Sequence, residues 1–411
     1  MVTHTHSNPH HELLHFMTEF SRIYITSGGP TSRLEEALSN VGNSMGNKTE
    51  IFATPTGVFI NSINSDGSIS SQLCRIKEGG THLEKLCWLE SILEDVLRKK
   101  ISPYQATRIL FSPQFTKNTY SVFQRMLAAF LAGFSLSFLG YGKISYSLIS
   151  GFIGSLTWWI NGPLLDKRIV SSIFRDFIGC TVTLSLAAIA QIFLPAPFEA
   201  YTIGGIVILV PGLALTNAIA ELADQNLVSG TSKLMQAILT LLALGLAYLL
   251  FAELTASMGI EGHLVGSSKL RLSYLEQFAF IAVSTLCFGV IFRVPKKSLI
   301  WSTLVGLLGW ILLHKLNISK YSVASPFLTS LLIGVISLYL GKRFKIPSQV
   351  FSVPGIIAML PGMMALTSIQ SFAMGKESAG IELSFRVAQT AASIAFGLFA
   401  ARIPFAFKAK I

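Results

Sequence analysis

The stretch Val210-Pro211-Gly212-Leu213-Ala214-Leu215-Thr216-Asn217-Ala218-Ile219 returns 150 residues later as Leu360-Pro361-Gly362-Met363-Met364-Ala365-Leu366-Thr367-Ser368-Ile369. The two stretches match with one inserted residue, and each lies inside an apolar run. Proline removes a backbone donor and clashes with the preceding turn, while glycine adds conformational freedom. We therefore expect two helices that break at their Pro-Gly pairs, near the middle of a membrane.

Two further matches support an internal repeat. Gly154-Ser155-Leu156-Thr157-Trp158 resembles Gly306-Leu307-Leu308-Gly309-Trp310 at an offset of 152, and Lys233-Leu234-Met235-Gln236 resembles Arg386-Val387-Ala388-Gln389 at an offset of 153. The three matches fall in the same order on corresponding helices. Each copy would hold five helices, and because five is odd, the second copy must enter the membrane from the opposite side. Such inverted repeats are typical of secondary transporters.

The composition is that of a membrane protein. Of 411 residues, 51% are hydrophobic and 13% are charged, whereas soluble proteins carry about 25% charged residues. Residues 1–124 have no net charge, so the excess of +11 lies entirely in residues 125–411. A nucleic-acid-binding protein would carry its basic residues on a polar surface, so we expect no nucleic-acid partner.

A helix needs about 20 mostly apolar residues to cross a bilayer. The sequence offers ten such spans, at 125–142, 144–162, 173–194, 202–220, 234–252, 276–292, 298–314, 325–341, 349–371 and 384–403. They form a first membrane repeat over 125–252 and a second over 276–403. The expected fold is therefore a polytopic α-helical membrane protein with a 5+5 inverted repeat.

The basic residues also predict the orientation. With ten spans and an internal N-terminus, 14 Lys/Arg residues lie on the inner side and 7 on the outer side. Basic residues favour the cytoplasmic side of membrane proteins. We therefore expect a multi-pass protein of the inner (plasma) membrane with both termini in the cytoplasm.

The N-terminal part is expected to be a small cytoplasmic α+β domain over residues 11–115, preceded by a flexible tail over 1–10. Thr31 can cap its second helix, and strands are predicted at Glu50–Thr54, Gly57–Ile63 and about Ile69–Ile76. The second and third strands are separated by a hairpin signal, Asn64-Ser65-Asp66-Gly67. This domain shows no nucleophile triad, phosphate loop or metal cluster, and the four cysteines form no CxxC pair, so we expect no metal and no cofactor.

The predicted helix breaks suggest a substrate site. The half-helices after the breaks begin at Gly212 and Gly362, and their positive N-terminal ends would approach the midplane from opposite faces. Such ends suit a carboxylate. The candidate substrate-binding residues are Pro211, Gly212, Thr216, Asn217, Pro361, Gly362, Thr367 and Ser368. In the alternative interpretation, the prolines only kink the helices, and the hydroxyl groups bond to their own helix.

Ionisable groups near membrane spans are costly and therefore informative. Asp176 begins the third span, and Glu221 and Asp224 close the fourth. These three carboxylates are candidates for proton coupling. The alternative is that they are interfacial charges at helix ends.

The sequence resembles the threonine/serine exporter family over nearly its whole length. The likeness rests on Ser27-Gly28 followed by Thr31, Arg33 and Glu35, on Phe52-Ala53-Thr54-Pro55-Thr56-Gly57-Val58-Phe59, and on Leu215-Thr216-Asn217-Ala218-Ile219. The resemblance implies ten helices in two halves and efflux driven by the proton gradient. This sequence departs from the family in having Pro30 where a small or acidic residue is usual. In addition, the acidic stretch from Glu221 to Asp224 has no counterpart after the second Pro-Gly.

The hypothesis that fits these patterns is a proton-coupled exporter of small amino acids such as threonine or serine. A dicarboxylate (succinate-like) exporter is the alternative in the same class. A channel and a membrane-anchored enzyme are the alternatives from other classes, although residues 11–115 show no convincing catalytic constellation. The substrate, the coupling ion and the oligomeric state, monomer or homo-oligomer, stay open.

Overall fold

The computed structural model describes residues 9–63, 67–77, 79–116, 119–165, 170–257, 272–316 and 323–404. The chain forms two compact units. Unit 1 comprises Met1–Thr119, Glu221–Ser232 and Phe344–Pro347, and unit 2 comprises Tyr120–Ala220, Lys233–Arg343 and Ser348–Ile411. Two short segments of the membrane part thus belong to the same unit as the N-terminal domain.

Unit 1 is built on a small antiparallel sheet. Its elements are α1 (Pro9–Thr26), α2 (Thr31–Ser44), β1 (Lys48–Thr54), β2 (Gly57–Ile63), β3 (Ile69–Arg75), α3 (Leu83–Leu97), α4 (Pro103–Leu110) and the short α5 (Pro113–Thr116). The strands follow the order β1-β2-β3, in register with Phe52 opposite Phe59 and Phe59 opposite Leu73. The three predicted strands are therefore confirmed to within two residues.

The core of unit 1 is apolar and fully buried. Phe16, Phe20, Leu34 and Leu38 come from α1 and α2, and Ile60 comes from β2; each is 0% exposed. The alternation of buried and exposed residues along β2 matches a strand with one covered face. In α2, Leu34, Leu38 and Val41, which recur on one face in the sequence, are buried.

One expectation for the N-terminal part is corrected by the structure, and others fall on residues outside the described ranges. Helix α1 begins at Pro9, so the last two residues of the predicted tail are helical. Proline is favoured at the first position of a helix, where its missing N–H is not needed. Residues 1–8, and residues 64–66 of the predicted hairpin, lie outside the described residues.

Twelve further helices follow α5, and most of their residues belong to unit 2. They are α6 (Val122–Tyr141), α7 (Ile144–Trp159), α8 (Ser172–Phe193), α9 (Phe198–Leu209), α10 (Gly212–Ala223), α11 (Leu227–Ser257), α12 (Tyr274–Ile291), α13 (Lys296–Leu316), α14 (Ala324–Phe344), α15 (Gln349–Ile356), α16 (Gly362–Ala373) and α17 (Glu377–Ala400). A π-helical turn, Ile160–Leu164, follows α7, and a 3₁₀ turn, Ile357–Met359, follows α15. Both halves therefore show three helices, a broken helix and a long final helix.

The structure supports a multi-pass membrane protein. Within the described ranges, eight helices are long and apolar enough to cross a membrane, with α9 and α10 together as one span. The bent pair of Gln349–Met359 and Gly362–Phe372 raises this number to nine. Helix α7 has only 16 residues, about 24 Å at 1.5 Å per residue. The predicted number of ten is therefore not reached by helix length and composition alone.

Close glycine contacts join the second and fourth helices in both halves. A Cβ on Gly154 of α7 would lie 2.7 Å from the carbonyl oxygen of Gly204 of α9, and a Cβ on Gly309 of α13 would lie 2.7 Å from that of Gly355 of α15. Only glycine allows backbones to approach so closely, which is the usual packing of small residues in membrane helices.

A serine hydroxyl lies at each of these helix contacts. The hydroxyl of Ser150 accepts the N–H of Gly204 at 3.0 Å, and the hydroxyl of Ser302 donates to the carbonyl of Val350 at 2.8 Å. Ser150 and Ser302 are separated by 152 residues, the same offset as the Gly154 and Gly306 segments. The packing of the second and fourth helices thus recurs in both halves.

We predict that Gly204→Ala destabilises the protein by about 1–3 kcal/mol, because the new Cβ would overlap the carbonyl oxygen of Ser150. Gly140→Ala is the matched control, since a Cβ there meets nothing within 4 Å. Thermal unfolding of the purified protein in detergent compares the two variants. Equal melting temperatures for both would contradict the close packing of α7 against α9.

Candidate functional site

Both membrane segments break immediately before their prolines. Val210 has φ −67° and ψ 127°, and Leu360 has φ −59° and ψ 129°. The residue before a proline avoids the helical region, so both residues adopt the same extended conformation. The new half-helices, α10 and α16, begin at Gly212 and Gly362, as predicted. At the second break the helix axis bends by 40°.

The two breaks lie against each other. A Cβ on Gly212 would lie 3.2 Å from the backbone nitrogen of Gly362 and 3.2 Å from Cβ of Leu360. A Cβ on Gly362 would lie 2.7 Å from Cγ1 of Val210 and 3.5 Å from Cα of Gly212. The N-terminal ends of two helices, both carrying a partial positive charge, therefore meet at one point. We call this point the break junction.

Backbone groups of both polarities are freed at the break junction. Pro211 and Pro361 have no N–H, so Pro211 cannot donate to the carbonyl of Val207 four residues earlier. The carbonyl of Ile357 instead accepts the N–H of Leu360 at 3.2 Å. Gly212 donates its N–H to the carbonyl of Val210 at 2.9 Å, and the other N–H groups in the first turns of α10 and α16 have no partner within their own helices. The junction can therefore contact an anionic group through N–H donors and a cationic group through carbonyl oxygens.

The polar side chains one turn beyond the junction do not form one cluster. The hydroxyl of Thr216 donates to the carbonyl of Gly212 at 3.1 Å, and that of Thr367 donates to Met363 at 2.9 Å. The hydroxyl of Ser368 bonds to the carbonyl of Gly380 at 2.8 Å and to Ser384 at 2.7 Å. Thr216 and Thr367 thus bond to their own helices, and Ser368 links α16 to α17.

The burial pattern corrects the alignment of the two Pro-Gly stretches. Thr216 and Ser368 are buried, whereas Asn217 and Thr367 are exposed. A constant offset of 150 without an insertion pairs Asn217 with Thr367, both exposed, and pairs the buried Ala218 with the buried Ser368. The sequence alignment with one inserted residue paired Thr216 with Thr367 and was wrong, because it matched letters rather than helix faces.

The candidate coupling residues lie in three different environments. Asp176, in the second turn of α8, accepts the amide of Asn161 at 2.6 Å, and Asn161 belongs to the π-helical turn after α7. Asp224 is half-buried in the turn after α10. Glu221 is only 4% exposed. The structure therefore brings none of these carboxylates into the break junction by a described contact.

Glu221 caps the second helix of unit 1. Its carboxylate accepts the backbone N–H and the hydroxyl of Thr31, each at 3.3 Å, and a short hydrogen bond from the hydroxyl of Ser229. Pro30 occupies the N-cap position of α2 and offers no side-chain cap. A carboxylate at a helix N-terminus satisfies free N–H groups and interacts favourably with the helix dipole. The expectation that Thr31 is the cap was therefore wrong, because Glu221 takes that role.

The other polar residues of the family motif in α2 also have partners. The carboxylate of Glu35 accepts the N–H of Ala53 in β1 at 2.6 Å. Burial raises the pKa of Glu35, the bond from Ala53 opposes this shift, and the charge of Glu221 adds to it. Arg33 forms an ion pair with Glu90 of α3 at 2.7 Å. Helix α2 thus connects the sheet, α3 and the last turn of α10.

Two models of known protein families match the chain. A model described as "Putative threonine/serine exporter" matches residues 15–255, and one described as "Threonine/Serine exporter, ThrE" matches residues 277–403. The chain belongs to the threonine/serine exporter family. The first match covers the α+β domain and the membrane helices up to α11, and the second covers α12–α17. The fused two-half form of the family explains why the broken helix occurs twice.

Two curated fungal proteins are similar to this family member. "Pheromone-regulated membrane protein 10" of Pichia sorbitophila is 23% identical over 72% of the chain, and that of Debaryomyces hansenii is 22% identical over 73%. The chain spans only 30% and 31% of the lengths of these relatives. No solved structure matches the chain. The family and these relatives agree on a membrane protein.

We predict that Glu221→Gln and Thr31→Val each destabilise the protein and that their effects are coupled by about 0.5–1.5 kcal/mol, because they remove the same hydrogen bonds. Glu36→Gln is the control: it changes an exposed acid on the same helix and should shift stability by less than about 0.5 kcal/mol. A double-mutant cycle of unfolding free energies measures the coupling. Strictly additive effects would show that Glu221 does not cap α2.

Proposed function

We propose that this protein is a secondary active exporter of small amino acids, such as threonine or serine, and that it binds the substrate at the break junction. The observation that carries the proposal is the contact between Gly212 and Gly362, where two half-helix N-termini meet. Broken helices near the midplane form the substrate sites of many secondary transporters. Family membership supports the same function.

The chemistry of the junction favours an amino acid over a dicarboxylate. An amino acid carries one carboxylate and one ammonium group. The N–H groups in the first turns of α10 and α16, other than that of Gly212, suit the carboxylate, and the carbonyl oxygens of Val207 and Leu360 suit the ammonium. A succinate-like substrate, the alternative, would leave these carbonyl groups without a donor from the ligand.

The topology that fits this proposal has ten spans and a 5+5 inverted repeat. The segments Glu221–Ser232 and Phe344–Pro347 belong to the same unit as the N-terminal domain, which supports placing all three on one side of the membrane. An even number of crossings must then separate Thr119 from Glu221. Because α6, α8 and the α9–α10 span give three, α7 must be the fourth. The π-helical turn after Trp159 extends this short helix to Leu164.

A single-cysteine experiment tests this topology. Cysteines at Ser257 and Lys376 should react with an impermeant thiol reagent from the outside of intact cells, and cysteines at Gln225 and Lys345 should react only after permeabilisation. Ser257, Gln225, Lys345 and Lys376 are exposed, so their accessibility reflects the side of the membrane. The orientation follows from the bias of basic residues and implies cytoplasmic termini in the plasma membrane. External labelling at Gln225 would contradict it.

Substitutions at the junction test the substrate site. Gly362→Ala should reduce transport more than Gly212→Ala, because the new Cβ would lie 2.7 Å rather than 3.2 Å from its nearest neighbour. Overpacking costs about 1–3 kcal/mol, which corresponds to a roughly 5- to 150-fold loss of transport if the whole cost falls on the transport-competent state. Counterflow of L-serine, L-threonine and succinate in proteoliposomes measures the loss of transport and also shows which of these compounds is a substrate.

The control for this experiment is Gly140→Ala, whose Cβ would meet nothing within 4 Å. It should retain wild-type counterflow. Wild-type counterflow in the double variant Gly212→Ala/Gly362→Ala would exclude the break junction as the substrate site. Counterflow of succinate but of neither amino acid would favour the dicarboxylate alternative.

The proposal includes coupling to protons through a carboxylate. Asp176 is the favoured candidate, because Glu221 has a structural role at α2 and Asp224 lies in a turn. Asp176→Asn should abolish efflux driven by a pH gradient while it leaves substrate exchange measurable, since exchange needs no net proton movement. Asp224→Asn should retain both activities. Gradient-driven efflux at the wild-type rate in Asp176→Asn would assign Asp176 an interfacial role only.

A further inference from the structure

Arg125 is a buried arginine on the first helix of unit 2. It lies in the second turn of α6 and is only 8% exposed, whereas its neighbours Phe123 and Leu127 are 73% and 47% exposed. Residues Ala128, Ala129 and Ala132 continue the buried stripe that begins at Arg125. The guanidinium therefore points toward other helices, while the adjacent apolar side chains face outward.

The positive charge of Arg125 has no anionic partner in the part of the chain that the structure describes. Its guanidinium lies 5.1 Å from the centre of the Trp158 ring at the end of α7. Its Nε atom has no hydrogen-bond partner among the described residues, and no described carboxylate forms an ion pair with it. Buried charges in membrane proteins are normally paired, so Arg125 lacks the counter-charge that such a position requires.

The position of Arg125 in its helix adds to this imbalance. Ser121 caps α6, and Arg125 follows within the first turns, where the helix dipole is positive. A cation there is disfavoured, and an anion is favoured. A bound anion would supply the counter-charge that the described residues do not give.

The buried side of α6 that carries Arg125 faces the helices that break. Ala128, one turn further along α6, belongs to a buried cluster against which Val207 and Ile357 pack. Val207 precedes the first break, and Ile357 precedes the second. Further along α6, a Cβ on Gly133 would lie 2.9 Å from Cα of Gly204. The buried stripe of α6 thus leads from Arg125 to the helices that break.

We infer that Arg125 binds the carboxylate of the substrate on its way to the break junction, with Trp158 holding the guanidinium in place. An arginine offers planar donors that match a carboxylate in a bidentate geometry. The inference rests on the proposed export function and adds a binding residue to it. In the proposed orientation, Arg125 is at the cytoplasmic end of α6, where a substrate for export would enter.

Carboxylate selectivity tests this inference. In everted membrane vesicles, transport of labelled L-serine is measured against unlabelled L-serine and L-serinamide, whose carboxamide has no negative charge. Arg125→Gln should raise the half-saturation concentration of serine roughly 10- to 100-fold, while inhibition by serinamide stays unchanged. Arg125→Lys should fall between these limits, because it keeps the charge but loses the bidentate geometry. Arg343→Gln, which removes an exposed cation at the end of α14, should behave as the wild type.

The gel-filtration profile and the melting temperature of each variant control for misfolding. If Arg125→Gln does not fold, Arg125→Lys is used for the test instead. An unchanged preference for serine over serinamide in a folded variant would overturn the inference. So would a defect that appears only in vesicles containing phosphatidylglycerol, because a lipid phosphate would then occupy Arg125. If the wild type transports no amino acid, the proposed function fails, and the same test with succinate and its monoamide still decides the role of Arg125.

Discussion

The missing N–H of a proline inside a membrane helix is the constraint on which the structure depends. Val210 and Leu360 must leave the helical conformation because Pro211 and Pro361 follow them. In hydrocarbon, the freed backbone groups must face protein, water or a ligand. Bringing the two breaks together concentrates these groups at one place. The glycine contacts of α9 with α7 and of α15 with α13 then hold the first half of each broken helix.

Helix α10 connects the break junction to unit 1 along a single element. It begins at Gly212 in the first break and continues to Glu221, whose carboxylate caps α2. The second half of the membrane part has Ser371, not an acidic residue, at the corresponding position in α16. The two halves consequently differ where the first is bound to the α+β domain.

The sequence predicts features that follow from local chemistry. Proline and glycine determine the breaks and the starts of α10 and α16, and a run of β-branched and aromatic residues locates β2 to the residue. It does not predict contacts between distant residues. Thr31 and Glu221 are separated by 190 positions, and nothing in either segment indicates their bond. Arg125 looks like an ordinary interfacial cation until its burial and its lack of a carboxylate partner among the described residues are seen. Thr216 and Thr367 share a motif but lie on different helix faces, because motif letters carry no information about helix rotation.

A reversible cross-link across the break junction tests the central claim most directly. Cβ of Val210 lies 3.5 Å from the position of a Cβ on Gly362, within the range of disulfides. Val210→Cys/Gly362→Cys, made after replacement of the four buried native cysteines, should form a disulfide detectable by peptide mass. We expect the oxidised protein to lose counterflow, reduction to restore it, and L-serine to slow the oxidation. Failure to form the disulfide, or wild-type counterflow in the oxidised protein, would contradict a substrate site at the break junction.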